Sequence, residues 1–521
     1  MTLTIPAAFE QAATLHRDKS AITAGATTVT YAELDRFSRA LAAGLLDEGL
    51  RPGDRVVVQL PNQWEFVAVL LGCMRAGLTP VLVLPAYRAR ELTRISALVD
   101  ARALIVSGDT SGFDYVRLAR EVQRSTPDIR HLFAVGGDSA AIPGIRSLAG
   151  TDAVAPQAPS DPEQTAFFLI SSGTTGAPKI IPRTHRDYLY GTRNSMELAG
   201  FGADTVYLAV LPLAHTFPLG CPGVLGALLA GGRAVLAPSP RPDSVFDVIQ
   251  REGVTATAAV PAVVHRWLAE HDRRRWDLSS LRVLQVGGAR LSAAQAALVE
   301  VVMGCRVQQV YGMSEGMLNL TRIQDDPGVV HDTQGRPFSA LDEMRIVGSD
   351  GRDCPAGEIG ELLVRGPGVF GGYYRAPELN AAAFTDGWFH TGDVVRLHPS
   401  GNLVVESRIN DLINRAGEKI SAAEIEDLLH QLPEVDKAVV VAVPDPESGE
   451  RVCACIVPTA GHAPTVAGLR AALTQMGIAA FKLPERLRLI DEIPLTAVGK
   501  VDKVTLRRMA RDAVPVPLKA R

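Results

Sequence analysis

Residues 167–170, Phe-Phe-Leu-Ile, run directly into Ser171-Ser172-Gly173-Thr174-Thr175-Gly176-Ala177-Pro178-Lys179. The apolar run predicts a buried strand, and the small, hydroxyl-rich stretch after it predicts a phosphate loop. Two glycines let the backbone approach an anion closely, and four hydroxyls with several N–H groups offer donors. Lys179 closes the loop with a positive charge. It is not the P-loop of nucleotide triphosphatases, because no Gly-Lys-Ser/Thr ends it. A bare Ser/Gly stretch reads as a surface turn; two Ser, two Thr, two Gly and a Pro-Lys in nine positions after a strand favour phosphate.

Outward from this loop, helices and short β-branched strands alternate. Tyr31 to Glu48 carries Leu34, Phe37, Leu41 and Leu45 at helical spacing, Asp54 to Leu60 is strand-like, Phe66 to Ala76 is helical, and Thr79 to Leu84 is strand-like again. The alternation recurs from Thr165 to Val310. Such a pattern predicts an α/β fold with two α/β layers of parallel sheet. Between Glu343 and Glu406 it gives way to short strands and Gly-rich turns, read as a β-barrel-like subdomain. After Arg408 a polar, turn-like stretch leads to Ser421, which caps a helix with Glu424 three residues on. Strands over Ala438–Val443 and Cys453–Val457 and a helix over Thr465–Met476 complete a small α+β domain. The boundary is placed near Asn410, giving a core of residues 1–409 and a mobile domain of 410–521.

Composition bounds the function. The chain has 521 residues, 47% apolar and 21% charged, with Lys+Arg 53 against Asp+Glu 57, a net charge of −4. That near balance, with aromatics at 5%, gives no basic or base-stacking footprint, so no nucleic-acid partner is expected. Six scattered cysteines without a Cys-x-x-Cys pair argue against a zinc site or disulfide framework and for a reducing, cytoplasmic setting. Met1 to Ala8 lacks the basic region of a signal peptide. Thr205 to Gly232 spans 28 residues without a charged side chain, but Pro212, Pro218 and Pro222 interrupt it. It reads as strand, loop and short helix, and no membrane association is expected.

Through these motifs, the chain from about Thr30 to about Arg508 resembles the adenylate-forming enzymes, which include acyl-CoA synthetases, luciferases and peptide-synthetase adenylation domains. Residues 167–188, FFLISSGTTGAPKIIPRTHRDY, are most similar to the free-standing aryl acid AMP ligases of siderophore and antibiotic pathways. The resemblance implies ATP as substrate and Mg²⁺ as its partner. It gives Glu315, in Tyr311-Gly312-Met313-Ser314-Glu315, the metal; one carboxylate suffices when phosphates and water complete the octahedron. It gives Asp393 and Arg408 the ribose, and lays the bare backbone of Gly287-Gly288-Ala289 against the adenine. Cross-strand ion pairing is the structural alternative for Asp393 and Arg408, and a plain turn for the glycines. Lys500, after Gly499, resembles the catalytic lysine, whose ammonium would bridge the attacking carboxylate and the α-phosphate. His215 joins Lys500 and Glu315 among the catalytic candidates.

For the acid, the resemblance points to Thr216, Phe217, Cys221, Gly287, Val310 and Leu318. Aryl acid ligases usually carry Asn where Thr216 stands. Cys221 and Leu318 make a tighter, less polar wall than dihydroxybenzoate activators have, so a plain or substituted salicylate is the expected acid; amino-hydroxybenzoates and hydroxypicolinate compete. Asn410 matches the hinge. With 21 residues after Lys500, the implied acceptor is a phosphopantetheinylated aryl carrier protein in trans. Coenzyme A as acceptor, and a non-catalytic ligand-binding relative, are the alternatives.

Overall fold

The computed structural model describes residues 3–511 except 109–111, 137–141, 151–160, 173–177, 272–275, 349, 410–412, 416–417, 446–448, 477, 479 and 497–499. Two compact units emerge: residues 1–343 with 365–389, and residues 344–364 with 390–521.

The first unit holds two sheets. Six strands run His131–Val135, Ala101–Ser107, Arg55–Gln59, Thr79–Leu82, Thr165–Ser172 and Pro178–Thr184, parallel up to the last pair, which is antiparallel. Eight strands form the other, from Gly316–Leu320 through Arg306–Met313, Val283–Gly287, Ala256–Ala259, Val206–Ala209, Arg233–Leu236 and Ser20–Ala24 to Thr27–Thr30. Only its two outermost pairings are antiparallel. Parallel strands covered on both faces read as unbroken apolar runs, and Val57, Val81, Leu104, Val106 and Phe168 are all buried in one core. The two α/β layers read from the sequence are these.

Local chemistry sets the helix starts. Thr30 caps Tyr31–Asp47 with a capping box completed by Glu33, and Thr184 caps His185–Leu198 with Asp187. The charge-free stretch becomes strand Val206–Ala209, a turn, and helices Thr216–Gly220 and Gly223–Leu229. Among the described residues no helix is long and apolar enough to cross a membrane. Asn62 fixes the turn: its Nδ2 donates to the Leu211 carbonyl at 3.0 Å and its Oδ1 accepts from Leu213 N at 3.0 Å.

In the second unit, the β-rich stretch is a five-stranded sheet in the order Glu343–Val347, Gly360–Arg365, Trp388–Leu397, Phe384–Thr385, with Leu403–Arg408 also on Trp388–Leu397. Phe384–Thr385 and the first residues of its partner strand belong to the first unit. The C-terminal part pairs Val435–Asp445 with Gly449–Pro458 and sets Arg486–Leu489 parallel to the latter. Ser421 accepts from Glu424 N, the cap expected there. Helix Lys503–Arg511 buries Leu506 and Ala510 beside Cys453 and Cys455.

Candidate active site

Strands Thr165–Ser172 and Pro178–Thr184 pair from Thr165↔Thr184 to Ser172↔Pro178, so the pairing reaches both sides of the phosphate-loop candidate. Gly173, Thr174, Thr175 and Gly176 lie outside the described residues, as does Asn410. Ser171 and Lys179 are half-buried and face one another in register.

Lys179 Nζ sits 4.9 Å above the centroid of the Tyr373 ring, a cation–π contact. The Tyr373 hydroxyl donates to Glu315 Oε1 at 2.9 Å, and the Glu315 carbonyl accepts from Phe370 N at 2.7 Å. Tyr373 therefore links the lysine of one motif to the carboxylate of another. In the sequence it sits inside a Gly-Gly-Tyr-Tyr turn with nothing to mark it.

Arg183 anchors the same region. It is 3% exposed, and its Nε donates to Asp187 at 2.9 Å, one terminal nitrogen to the Ser314 carbonyl at 2.8 Å, and the other to the Gly368 carbonyl at 2.9 Å. Asp187 also accepts from Thr184 N at 2.9 Å. Burial raises the Asp187 carboxyl above its ordinary range, against the lowering pull of Arg183. Gly316 lets the two segments meet: at φ +116° it has no Cβ, and one would lie 2.0 Å from the Gly368 carbonyl oxygen.

Gly288 and Ala289 come directly after strand Val283–Gly287 and are exposed, with Gly288 at φ +80°. A bare backbone strip of that kind fits a flat base. The strand Arg306–Met313 carries Tyr311, Gly312 and Met313 and turns back through Ser314 and Glu315 into Gly316–Leu320, so that Gly312 stands opposite Leu318. Among the described residues no group of three His, Cys, Asp or Glu side chains gathers to hold a metal.

A cavity in the first unit is lined by Thr216, Gly220, Leu318, Met317, Tyr188 and Gly191, among others. Cys221, Val310, Leu318 and Leu320 form one buried apolar cluster, with Phe217 and Phe338 packed against it. The Phe217 ring lies on Gly287, 3.2 Å from where a Cβ would be. Burial pushes the Cys221 thiol up to about 12, so it is a neutral wall group. The structure thus brings together Thr216, Phe217, Cys221, Gly287, Val310 and Leu318. His215 is half-buried at the N-cap of Thr216–Gly220.

In the second unit, Asp393 and Arg408 are cross-strand partners, with Arg408 Nε donating to Asp393 Oδ1 at 2.9 Å. Asp393 is 4% exposed while the Arg408 side chain is 57% exposed. The structural ion pair is therefore present, and it presents an exposed guanidinium beside a buried carboxylate. Lys500 is exposed; Thr496 N donates to its carbonyl at 2.7 Å and Thr496 Oγ1 accepts from its N–H at 3.2 Å.

The AMP-binding enzyme family matches residues 9–374, and the AMP-binding enzyme C-terminal domain matches residues 424–500. A Streptomyces protein named salicylyl-CoA synthase / salicylate adenylyltransferase is 49% identical over 95% of this chain and 91% of its own length. The salicyl-AMP ligase / salicyl-S-ArCP synthetase of Mycobacterium tuberculosis is 44% identical over 92% of this chain and 85% of its own. The apo structure of Mycobacterium smegmatis MbtA superposes with a TM-score of 0.75 at 44% identity, covering 98% of this chain and 95% of that one. The chain belongs to the AMP-binding, adenylate-forming enzymes, in the group of aryl acid AMP ligases.

Proposed function

We propose that the chain activates a salicylate-type acid, plain or ring-substituted, with ATP and passes the aryl group to the phosphopantetheine thiol of a separate carrier protein. One observation carries this reading. The hairpin Arg306–Met313/Gly316–Leu320 has the nucleotide candidates Tyr311, Gly312 and Met313 on one strand, Ser314 in its turn, and the acid-wall candidate Leu318 opposite Gly312 on the other. A carboxylate must meet the α-phosphate, and in this reading one backbone ladder carries candidates for both substrates.

In the first half-reaction a carboxylate oxygen bonds to the α-phosphorus, the bond from that phosphorus to the bridging oxygen breaks, and pyrophosphate leaves. Ser171 to Lys179 would hold phosphate oxygens, Asp393 and Arg408 the ribose, and the Gly288-Ala289 backbone the base. Glu315 would hold Mg²⁺, which supplies charge neutralisation on the phosphates. Lys500 would stabilise the charge that builds on the α-phosphoryl oxygens. In the second half-reaction a thiol sulfur bonds to the acyl carbon, its proton goes to solvent, and AMP leaves. Asn410 would be the hinge about which residues 410–521 turn between the two steps.

Coenzyme A as acceptor is the second reading, favoured by the double name of the Streptomyces relative. ATP–pyrophosphate exchange over salicylate, 6-methylsalicylate, 3-hydroxyanthranilate, 3-hydroxypicolinate and 2,3-dihydroxybenzoate tests the first step; release of ADP and phosphate instead would overturn it. Mass measurement of a holo-carrier protein against acyl-CoA formation separates the acceptors.

A further inference from the structure

Two hydroxyls in the wall of the acid cavity lack a hydrogen-bond partner: Thr216 Oγ1 and Tyr188 Oη. Tyr188 is 3% exposed and Thr216 8%. Thr216 bears on the Tyr188 hydroxyl, yet neither oxygen is satisfied in hydrogen-bonding geometry. Buried polar groups in folded proteins are almost always paired, so two adjacent exceptions call for an explanation. Both line the same cavity, with Gly220, Gly191, Leu318 and Met317; that placement points to a ligand.

The Tyr188 ring is held rigidly. It meets Phe167 edge-on at 4.6 Å and 82°, with the Arg183 guanidinium 5.4 Å from its centroid. Gly220 makes room for the hydroxyl end, since a Cβ there would lie 2.6 Å from Oη. The backbone beside it is fixed as well, Thr192 Oγ1 donating to the Gly220 carbonyl at 3.0 Å. Burial pushes the phenol above its ordinary range, so the group remains a neutral donor. A fixed, neutral, unsatisfied O–H beside a second hydroxyl suits an acceptor atom on a ring.

Resting on the acid-activating function, we infer that Tyr188 is a specificity-determining residue of this pocket. Its hydroxyl, together with that of Thr216, holds an acceptor next to the carboxylate: an ortho hydroxyl oxygen or a ring nitrogen ortho to the carboxyl. Neither residue type nor spacing marks Tyr188 in the sequence. Its tie to Thr216 comes only from helix His185–Leu198 lying against residues 216–221.

The test compares kcat/KM for salicylate, picolinate and benzoate in wild type, Tyr188→Phe and Thr216→Val. Each substitution removes a hydroxyl and keeps the shape. Tyr188→Phe is expected to lose about tenfold on salicylate, on picolinate or on both, according to which acceptor the pair holds, while benzoate changes less than twofold and the KM for ATP is unmoved. Thr216→Val is expected to show the same selectivity loss. The double variant is expected to lose less than the product of the single losses, because both hydroxyls bind one atom. A parallel fall on all three acids, or an unchanged ratio in either variant, overturns the assignment of the hydroxyl pair. Wild-type protein that exchanges pyrophosphate with none of the acids overturns the acid-activating function itself, and the two failures are told apart by that first measurement.

Discussion

Arg183→Met is the most informative perturbation of the site. The guanidinium makes three hydrogen bonds, to Asp187, the Ser314 carbonyl and the Gly368 carbonyl, at 2.8–2.9 Å and almost out of water. Breaking a buried pair by removing one partner costs about 3–5 kcal/mol, since the other charge stays buried. Leaving Asp187 uncompensated should put the loss near 4 kcal/mol, a large part of the roughly 5–15 kcal/mol that holds a domain. All four tryptophans, Trp64, Trp267, Trp276 and Trp388, fall in the first unit, so intrinsic fluorescence in urea reads that unit alone. Asp187 sets the sign of the pH dependence. Burial already raises its carboxyl, and losing Arg183 raises it further. A carboxyl whose folded pKa lies above its unfolded one contributes its full stability below the unfolded value, near 4, and loses it as pH rises through the folded value. The gap between variant and wild type should therefore widen from pH 4 upward. Because Ser314 loses its anchor next to Glu315, the KM for ATP should rise about tenfold with a smaller change in kcat. A midpoint shift worth under about 1 kcal/mol at pH 8, with an unchanged KM for ATP, would refute the anchoring argument.

Acid should destabilise the first unit through His185. The ring is 2% exposed, accepts from Ile5 N at 3.2 Å and is held down to about 4 by burial. Its folded pKa lies below the unfolded one, so the stability it contributes is present above about 6.5 and is lost as pH falls toward 4, up to about 3 kcal/mol; the slope of Tm against pH in that window should flatten in His185→Gln. Lys500→Ala should cripple adenylation while sparing thioester formation from pre-made acyl-adenylate, and Asn410→Pro should do the reverse; equal losses in both half-reactions, measured by rapid quench, would speak against alternation. Thr216→Asn should move relative kcat/KM toward plain salicylate and away from 6-methylsalicylate by about tenfold, the worth of roughly 1.4 kcal/mol. An unchanged ranking would shift attention to Cys221 and Leu318.

Local pattern carries much of this molecule. The run from Phe167 to Ile170 and the alternation from Tyr31 to Leu84 have the periodicity of buried strands and amphipathic helices, and the elements form within a few residues of those limits. Contacts made across long stretches of chain lie beyond its reach. Arg183 looks like one more base in a polar turn, yet its carbonyl partners are 131 and 185 positions away. Tyr373 reaches Glu315 over 58 positions. Pattern reports which side chains are buried and is silent on which distant group each will meet. The short helix Thr216–Gly220 is also hidden in the sequence, because Pro218 and Gly220 read as loop formers; Pro is tolerated in a first turn, where its missing N–H has no partner to lose.

The helix His185–Leu198 has a further consequence. Its first turn is locked by the Thr184–Asp187 cap and by Arg183, whereas Tyr188 and Gly191, one and two turns on, line the cavity shared with Thr216 and Leu318, and Thr192 bonds to its Gly220 wall. Anchor and cavity lining thus occupy successive turns of a single rod. Substitutions at 188, 191 and 192 can reshape the chamber while the start of the helix keeps its register. A modest library confined to those three positions is a rational route to variants with a different choice of acid: cutting back Tyr188 would widen the chamber for bulkier rings, while a side chain at Gly191, whose Cβ would meet Leu318 Cδ1 at an ordinary 3.5 Å, would narrow it toward smaller ones.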